Sequence, residues 1–463
     1  MRFGALLCGL LLATSGAACS SADEGAPSPE VPGGGEPPAG PEEQPWETPE
    51  VQHVALGAVP DSVLYPTSRT QSPVTASVVA RLAQIASKDP GRRSDLFAKV
   101  GDSQTVNPGF MQCFTRSDVD YGGRAAPLGA PPTTLADTVK FLLGPDNGAQ
   151  SFARTSLAAK VGASASFALD GPLVQEVDAT RARYAVVMYG TNDIQGAPTG
   201  GLFTYARNMM AIVDALVARG VVPILSSPPP RPFRAVDSAA FGPGGADPWV
   251  PRYSAVVRAI AEGRQIPFVD LERELREIPK FGIGSDDLHL VASPEGACKL
   301  NARGLTFGFN VRNLVTLEAL HRAHAALGRG IAADGEAPRL GGKGTSASPF
   351  VVASLPFTNL QSTSQPGVAS GASSYGCGRD ASGPELVYEL KLTARKKLRA
   401  TALPLGKADV DIYLLDSRGA CVGYADRELV RDVDPGTYRL IVDTPKLGGA
   451  IPSGEYLLTL LED

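Results

Sequence analysis

Apolar positions along this chain fall into two textures. Between residues 73 and 327, mainly apolar runs of about five residues alternate with longer stretches whose apolar positions recur three and four apart. Residues 73–88 place Val78, Val79, Leu82 and Ile85 on one helical face, and Asp89-Pro90-Gly91 stops them. Residues 96–100 (LFAKV) read as the first buried strand. Residues 134–143 predict a helix with Thr134 capping, Asp137 three residues later and Gly144 at its end. A second strand follows at 184–189 (YAVVMY), then an amphipathic helix over 202–219 that ends at Gly220. Strands at 221–225 and 266–271 flank a helix over 253–265, and 314–327 is helical again. Alternation of this kind predicts an α/β fold, a parallel sheet covered by helices on both faces.

Beyond a Gly-rich break at 332–348 the texture changes. Short strand-like runs at 386–392, 398–403, 410–415, 437–442 and 456–461 are separated by Gly, Pro and Asp. They predict a small antiparallel β-sandwich with a core of its own.

The N-terminus differs from both. Met1-Arg2 is a positive start, 3–13 is apolar but short for a membrane span, and small residues lead to Cys19. Residues 20–50 are rich in Pro, Gly and Glu, contain no Lys or Arg, and cannot bury enough surface to fold. The expected organisation is an export signal at 1–19, a disordered linker at 20–50, an α/β domain at 51–330, a Gly-rich linker at 331–349 and a sandwich at 350–463.

Composition narrows the function. A chain of 463 residues with 43% hydrophobic content can bury more than one core. Its net charge of −5, with no Lys/Arg-rich block, argues against nucleic acid as a partner. Of six cysteines, Cys8 lies in the signal and Cys19 at its end, leaving four that an exported compartment allows to pair. Cys377 and Cys421 share the sandwich and are natural partners. Cys113 lies ten residues after Ser103 and Cys298 nine after His289, so a site that joins Ser103 and His289 also brings these two cysteines near each other. None shows zinc-site spacing, and the motifs call for neither metal nor cofactor.

Three segments carry candidate chemistry. Gly101-Asp102-Ser103 follows the first strand, Gly190-Thr191-Asn192-Asp193 follows the second, and Asp286-Asp287-Leu288-His289 comes late in the α/β region. Ligands of open parallel sheets bind beyond the carboxyl ends of the strands, so these segments can converge. A serine hydroxyl needs an imidazole to take its proton and a carboxylate to orient that imidazole; His289 and Asp286 supply them. The oxyanion formed on attack needs preorganised donors, and Asn192 is the obvious amide. His321 and His324 sit in a helical pattern and read as packing or surface residues, and His53 adjoins the linker.

With those blocks in place, the chain resembles the SGNH (GDSL-type) hydrolases. The resemblance implies Ser103 as nucleophile and oxyanion donor, Asp286 and His289 as its partners, Asn192 as a second donor and a flavodoxin-like three-layer sandwich. Within 154–165 (RTSLAAKVGASA) Gly162 is the best candidate for the remaining donor, outside the family's usual N-x-G context. Gln104 stands where the family carries an aliphatic residue. Ser15-Gly16-Ala17-Ala18-Cys19 resembles a bacterial lipobox, which implies lipidation at Cys19, and residues from 350 onward resemble the pre-peptidase C-terminal domain.

The expected protein is an exported serine esterase, membrane-anchored through lipid or secreted, acting on small-molecule or glycan esters, with acyl groups on glycans or lipids as candidates. An acyltransferase to a sugar hydroxyl and a non-catalytic surface binding protein are the alternatives. Loops over 107–132 and 228–249 would set specificity.

Overall fold

Apolar runs followed by helical spacing become strands backed by helices. The computed structural model describes residues 59, 62–122, 134–196, 198–232 and 247–463, apart from 366, 369, 373, 379, 447 and 448. The export signal with Cys19, the 20–50 linker, His53 and parts of the two specificity loops lie outside the described residues.

The α/β part runs α1 (Ala76–Ala86), β1 (Arg93–Gly101), α2 (Ser103–Val106), α3 (Leu135–Leu143), α4 (Ser166–Leu169), α5 (Pro172–Thr180), β2 (Ala182–Met188), α6 (Thr191–Gly196), α7 (Pro198–Ala218), β3 (Val222–Ser226), α8 (Val250–Arg264), β4 (Phe268–Val269), α9 (Leu271–Arg276) and α10 (Gly308–Arg329). Helix α1 is capped by the Thr75 hydroxyl and buries Val78, Leu82 and Ile85 of the face the spacing predicted, with Val79 half-buried at its margin. Helix α3 begins with a reciprocal capping box between Thr134 and Asp137 and ends at Gly144.

The sheet has the order β1-β2-β3-β4, with every pair parallel. Helices α1, α3, α9 and α10 pack as one group, and α4, α5, α7 and α8 as another, giving three layers. Strand β4 is shorter than the 266–271 expected. Pro267 has no N–H to donate, and Asp270 already caps α9 through the Arg273 N–H.

Outside β1 lies a segment that no apolar run announces. The Gly101 N–H donates to Ala158 O at 3.1 Å, and the Lys160 N–H donates back to Gly101 O at 3.1 Å, a parallel bridge between Gly101 and Ala159. Residues 158–160 thereby occupy the outer edge of β1, and the turn after them lands beside the end of that strand.

The second part runs β5 (Phe350–Val352), β6 (Phe357–Ser362), β7 (Glu385–Leu392), β8 (Lys396–Pro404), β9 (Asp411–Leu415), β10 (Cys421–Ala425), β11 (Glu428–Val433), β12 (Gly436–Asp443) and β13 (Glu455–Glu462). Sheets β10-β9-β12-β7-β5 and β11-β8-β13-β6 enclose a core that includes Leu386, Tyr388, Ile412, Leu440, Tyr456 and Leu458. All pairings are antiparallel except β5 on β7. Cys377 is bonded to Cys421, the pairing the sequence suggested.

The two cores share a face. Helix α8 is buried on nearly all sides because β6 and β13 pack against the side that the α/β sheet leaves free. At Gly263 a Cβ would lie 2.3 Å from the Leu360 side chain, so only glycine admits this approach. Arg264 next to it is wholly buried, paired with Asp214 of α7 at 3.0 Å and Glu455 of β13 at 3.0 Å.

Candidate active site

The Gly-Asp-Ser turn is built by close approach. A Cβ at Gly101 would sit 2.3 Å from Thr105 Oγ1 and 2.5 Å from Met188 O, so the end of β1 can press against β2 only without a side chain. Asp102 then caps the short helix α2 by accepting the Gln104 N–H at 3.0 Å. Ser103 is the first residue of that helix, where a backbone N–H has no intrahelical acceptor. Burial pushes the Asp102 carboxyl up to about 6, against the pull of the Arg312 guanidinium, the Gln104 N–H and the Thr191 hydroxyl. Arg312 is pushed down to about 9 by its own burial.

His289 reaches the serine from the loop before α10. Ser103 Oγ lies 2.9 Å from His289 Nε2, and His289 Nδ1 lies 2.6 Å from Asp286 Oδ2. The carboxylate only accepts, so Nδ1 carries the proton toward Asp286 and Nε2 is left to accept from the serine hydroxyl. Asp286 Oδ1 also accepts the backbone N–H groups of Leu288 at 3.1 Å and His289 at 3.0 Å. Burial would raise the Asp286 carboxyl, but the His289 N–H, its ring and the Leu288 N–H outweigh it and hold it at about 2. Asp287 is exposed with φ 55°, and none of the described hydrogen bonds of this network uses its carboxylate.

The remaining candidates meet beside the outer edge of β1. Asn192 Nδ2 donates to Ala163 O at 2.9 Å, which orients the amide and leaves its second N–H free to donate. Asp193 Oδ1 accepts the Ala165 N–H at 3.1 Å, so α6 grips the same segment twice. Gly162 sits in a turn closed by the Ala163 N–H on Lys160 O at 3.2 Å; its φ is 75°, and no atom lies within 4 Å of where a Cβ would be. Among the described hydrogen bonds none uses the Gly162 N–H.

The four folded-domain cysteines pair as two bonds. Cys113–Cys298 ties the turn after α2 to the loop after His289, with Cα atoms 5.6 Å apart. Asn313 of α10 reinforces this join, donating to Gly109 O at 2.8 Å and Ala297 O at 3.1 Å. His321 is buried, bonded to Thr138 Oγ1 at 2.6 Å, and His324 stacks on Phe141, so both are packing residues. Among the described residues no group of three or more His, Cys, Asp or Glu is placed to hold a metal ion.

Sequence reasoning left one participant without a role. The buried side chain of Gln104 bonds to Leu288 and Leu290, on either side of His289. Its polarity at a position where the resemblance implies an aliphatic residue was the only signal in the sequence.

Residues 100–293 match the model of the GDSL-like Lipase/Acylhydrolase family, a span that contains Ser103, Gly162, Asn192, Asp286 and His289. This segment is a GDSL-like lipase/acylhydrolase domain. The matched domain, with the Ser103–His289–Asp286 contacts, supports a carboxylic ester hydrolase. Comparison with curated proteins returns no match. Among solved structures, a GDSL-like lipase from Bacteroides thetaiotaomicron is 16% identical over 53% of this chain and 99% of its own, with a TM-score of 0.33. An acetylxylan esterase from Geobacillus stearothermophilus is 17% identical over 50% of this chain and 94% of its own, with a TM-score of 0.30. The pre-peptidase C-terminal domain of a Bacillus anthracis collagenase is 17% identical over 23% of this chain and 89% of its own, at 0.17. Likenesses of this size carry no functional argument; the family match and the Ser103–His289–Asp286 contacts do.

Proposed function

We propose that this chain is an exported esterase that cleaves short-chain carboxylic esters through an acyl intermediate on Ser103. The observation that carries the reading is the continuous relay from Ser103 Oγ through His289 to Asp286, at 2.9 and 2.6 Å. Ser103 Oγ attacks the ester carbonyl while its proton passes to His289 Nε2, and Asp286 stabilises the imidazolium. The carbonyl oxygen, now an anion, accepts from the N–H groups of Ser103 and Gly162 and from the free N–H of Asn192. Collapse expels the alcohol with the proton from Nε2. Water, deprotonated by the same nitrogen, then attacks the acyl-serine and restores the hydroxyl.

The relay opens to solvent, since the side chains of His289 and Asp286 are 36% and 50% exposed. That supports a short acyl group on a bulky, polar alcohol such as a glycan in preference to a long chain needing an apolar tunnel. Two disulfides support an oxidising compartment, in keeping with the export signal and the lipidation at Cys19 that we assign to residues 1–19. The test compares acetyl, butyryl and long-chain aryl esters and acetylated oligosaccharides on the full chain and on Ser103→Ala. The reading expects turnover of acetyl esters that the variant loses; preference for long acyl chains contradicts the substrate class, and turnover by the variant contradicts the mechanism.

A further inference from the structure

We propose that Gln104 is a positioning residue of the hydrolytic site, its side-chain amide holding the backbone on both sides of His289 against the helix that carries Ser103. The inference rests on the esterase reading. Gln104 is fully buried. Its Nε2 donates to Leu288 O at 2.8 Å, and its Oε1 accepts the Leu290 N–H at 3.2 Å. The amide cannot be turned over, because a flip would set N–H against N–H and carbonyl against carbonyl.

The two backbone groups it takes lie immediately before and after His289. The backbone of His289 itself is held separately: its N–H donates to Asp286 Oδ1 at 3.0 Å, and its O accepts the Gly284 N–H at 2.8 Å. Gln104 is itself fixed from behind. Arg312 of α10 donates to Gln104 O at 2.6 Å and to Thr105 Oγ1 at 3.0 Å, and stacks on Phe110 with 3.7 Å to the ring centroid. One residue after the nucleophile thus reaches the residues immediately before and after the base. An aliphatic side chain there fills the space but leaves Leu288 O and the Leu290 N–H without these partners, and the loop loses its tie to α2. Since a displacement of about 1 Å between reacting groups can cost about a hundredfold in rate, the tie belongs to the chemistry as well as to the packing.

Two variants test this on the full chain, read by kcat and KM for an acetyl aryl ester across pH, with Ser103→Ala as control. Gln104→Leu should lower kcat by roughly ten- to a hundredfold with KM within about twofold. Gln104→Glu supplies a switch: the neutral acid accepts through one oxygen and donates through the other, whereas the ionised form cannot donate to Leu288 O. The ratio of its kcat to that of the wild type should therefore rise as pH falls. Wild-type kcat in Gln104→Leu, or a pH-independent ratio for Gln104→Glu, overturns the proposal; should Gln104→Leu not fold, the ratio decides alone. Loss of the clamp effect with Ser103→Ala inactive leaves the esterase reading standing, whereas an active Ser103→Ala removes both.

Discussion

At the scale of single residues, two adjacent aspartates separate a structural argument from a sequence one. Asp286 accepts from the His289 ring and from two backbone N–H groups, while Asp287 is exposed in a left-handed conformation that asparagine also tolerates. Asp287→Asn should leave turnover within about twofold of wild type, and Asp286→Asn should lower it by roughly ten- to a hundredfold, less than His289→Ala. The reverse order in steady-state kinetics would assign the carboxylate role to Asp287 instead. Asp286 is held at about 2, so its charge is complete above the ordinary carboxylate range and is lost only as pH falls through about 2. Loss of activity between pH 5 and 7 must then come from another group, and Asp286→Asn should not remove that limb of the profile. For Asn192→Ala, we expect kcat to fall by about a hundredfold with KM little changed, because the amide serves charge that develops only in the transition state. A change confined to KM would make Asn192 a ground-state contact.

At the scale of elements, helix α8 carries the sharpest expectation. Arg264 is wholly buried between Asp214 and Glu455, so Arg264→Leu removes the guanidinium that both carboxylates share. Breaking such a pair costs about 3–5 kcal/mol, which urea unfolding would detect; a loss below about 1 kcal/mol would mean that the interface does not depend on it. This helix also shows where sequence reading stops. Periodicity places a helix over 253–265, but nothing in the sequence announces the burial of Arg252, Arg258, Glu262 and Arg264. That burial comes from distant partners: Asp463 and Glu455 of the sandwich for Arg252 and Arg264, Asp270 for Arg258 and the Tyr65 N–H for Glu262. Strand β6 (FTNLQS) escaped notice for the complementary reason, being too polar to register as a core strand. Residues 158–160 were invisible because their place in the sheet rests on hydrogen bonds to Gly101 rather than on an apolar run. By contrast, Ser103, Asn192, Asp286 and His289 were legible because each block sits at a strand exit or in a loop, where side-chain chemistry is not dictated by packing.

At the scale of the whole molecule, acidity and burial compete in the sandwich. Asp443 is fully buried between Glu385 and Asp411 on neighbouring strands, and burial, with Glu385, Asp411 and Asp380 adding to it, pushes its carboxyl up to about 8. The native state then holds a proton that the unfolded chain releases, so stability is greatest at or below the ordinary carboxylate range and falls as pH rises toward about 8. Melting temperatures of the wild type should drop between pH 6 and 8.5 more steeply than those of Asp443→Asn; parallel slopes would show that Asp443 titrates normally. The proposed function rests on one serine, and reaction with an activity-based fluorophosphonate addresses that serine directly. Peptide mapping of the labelled protein should find the phosphonyl group on Ser103, with His289→Ala labelled far more slowly and Ser103→Ala not at all. Label on any other serine, or none on a folded wild-type protein that hydrolyses esters, would contradict the account.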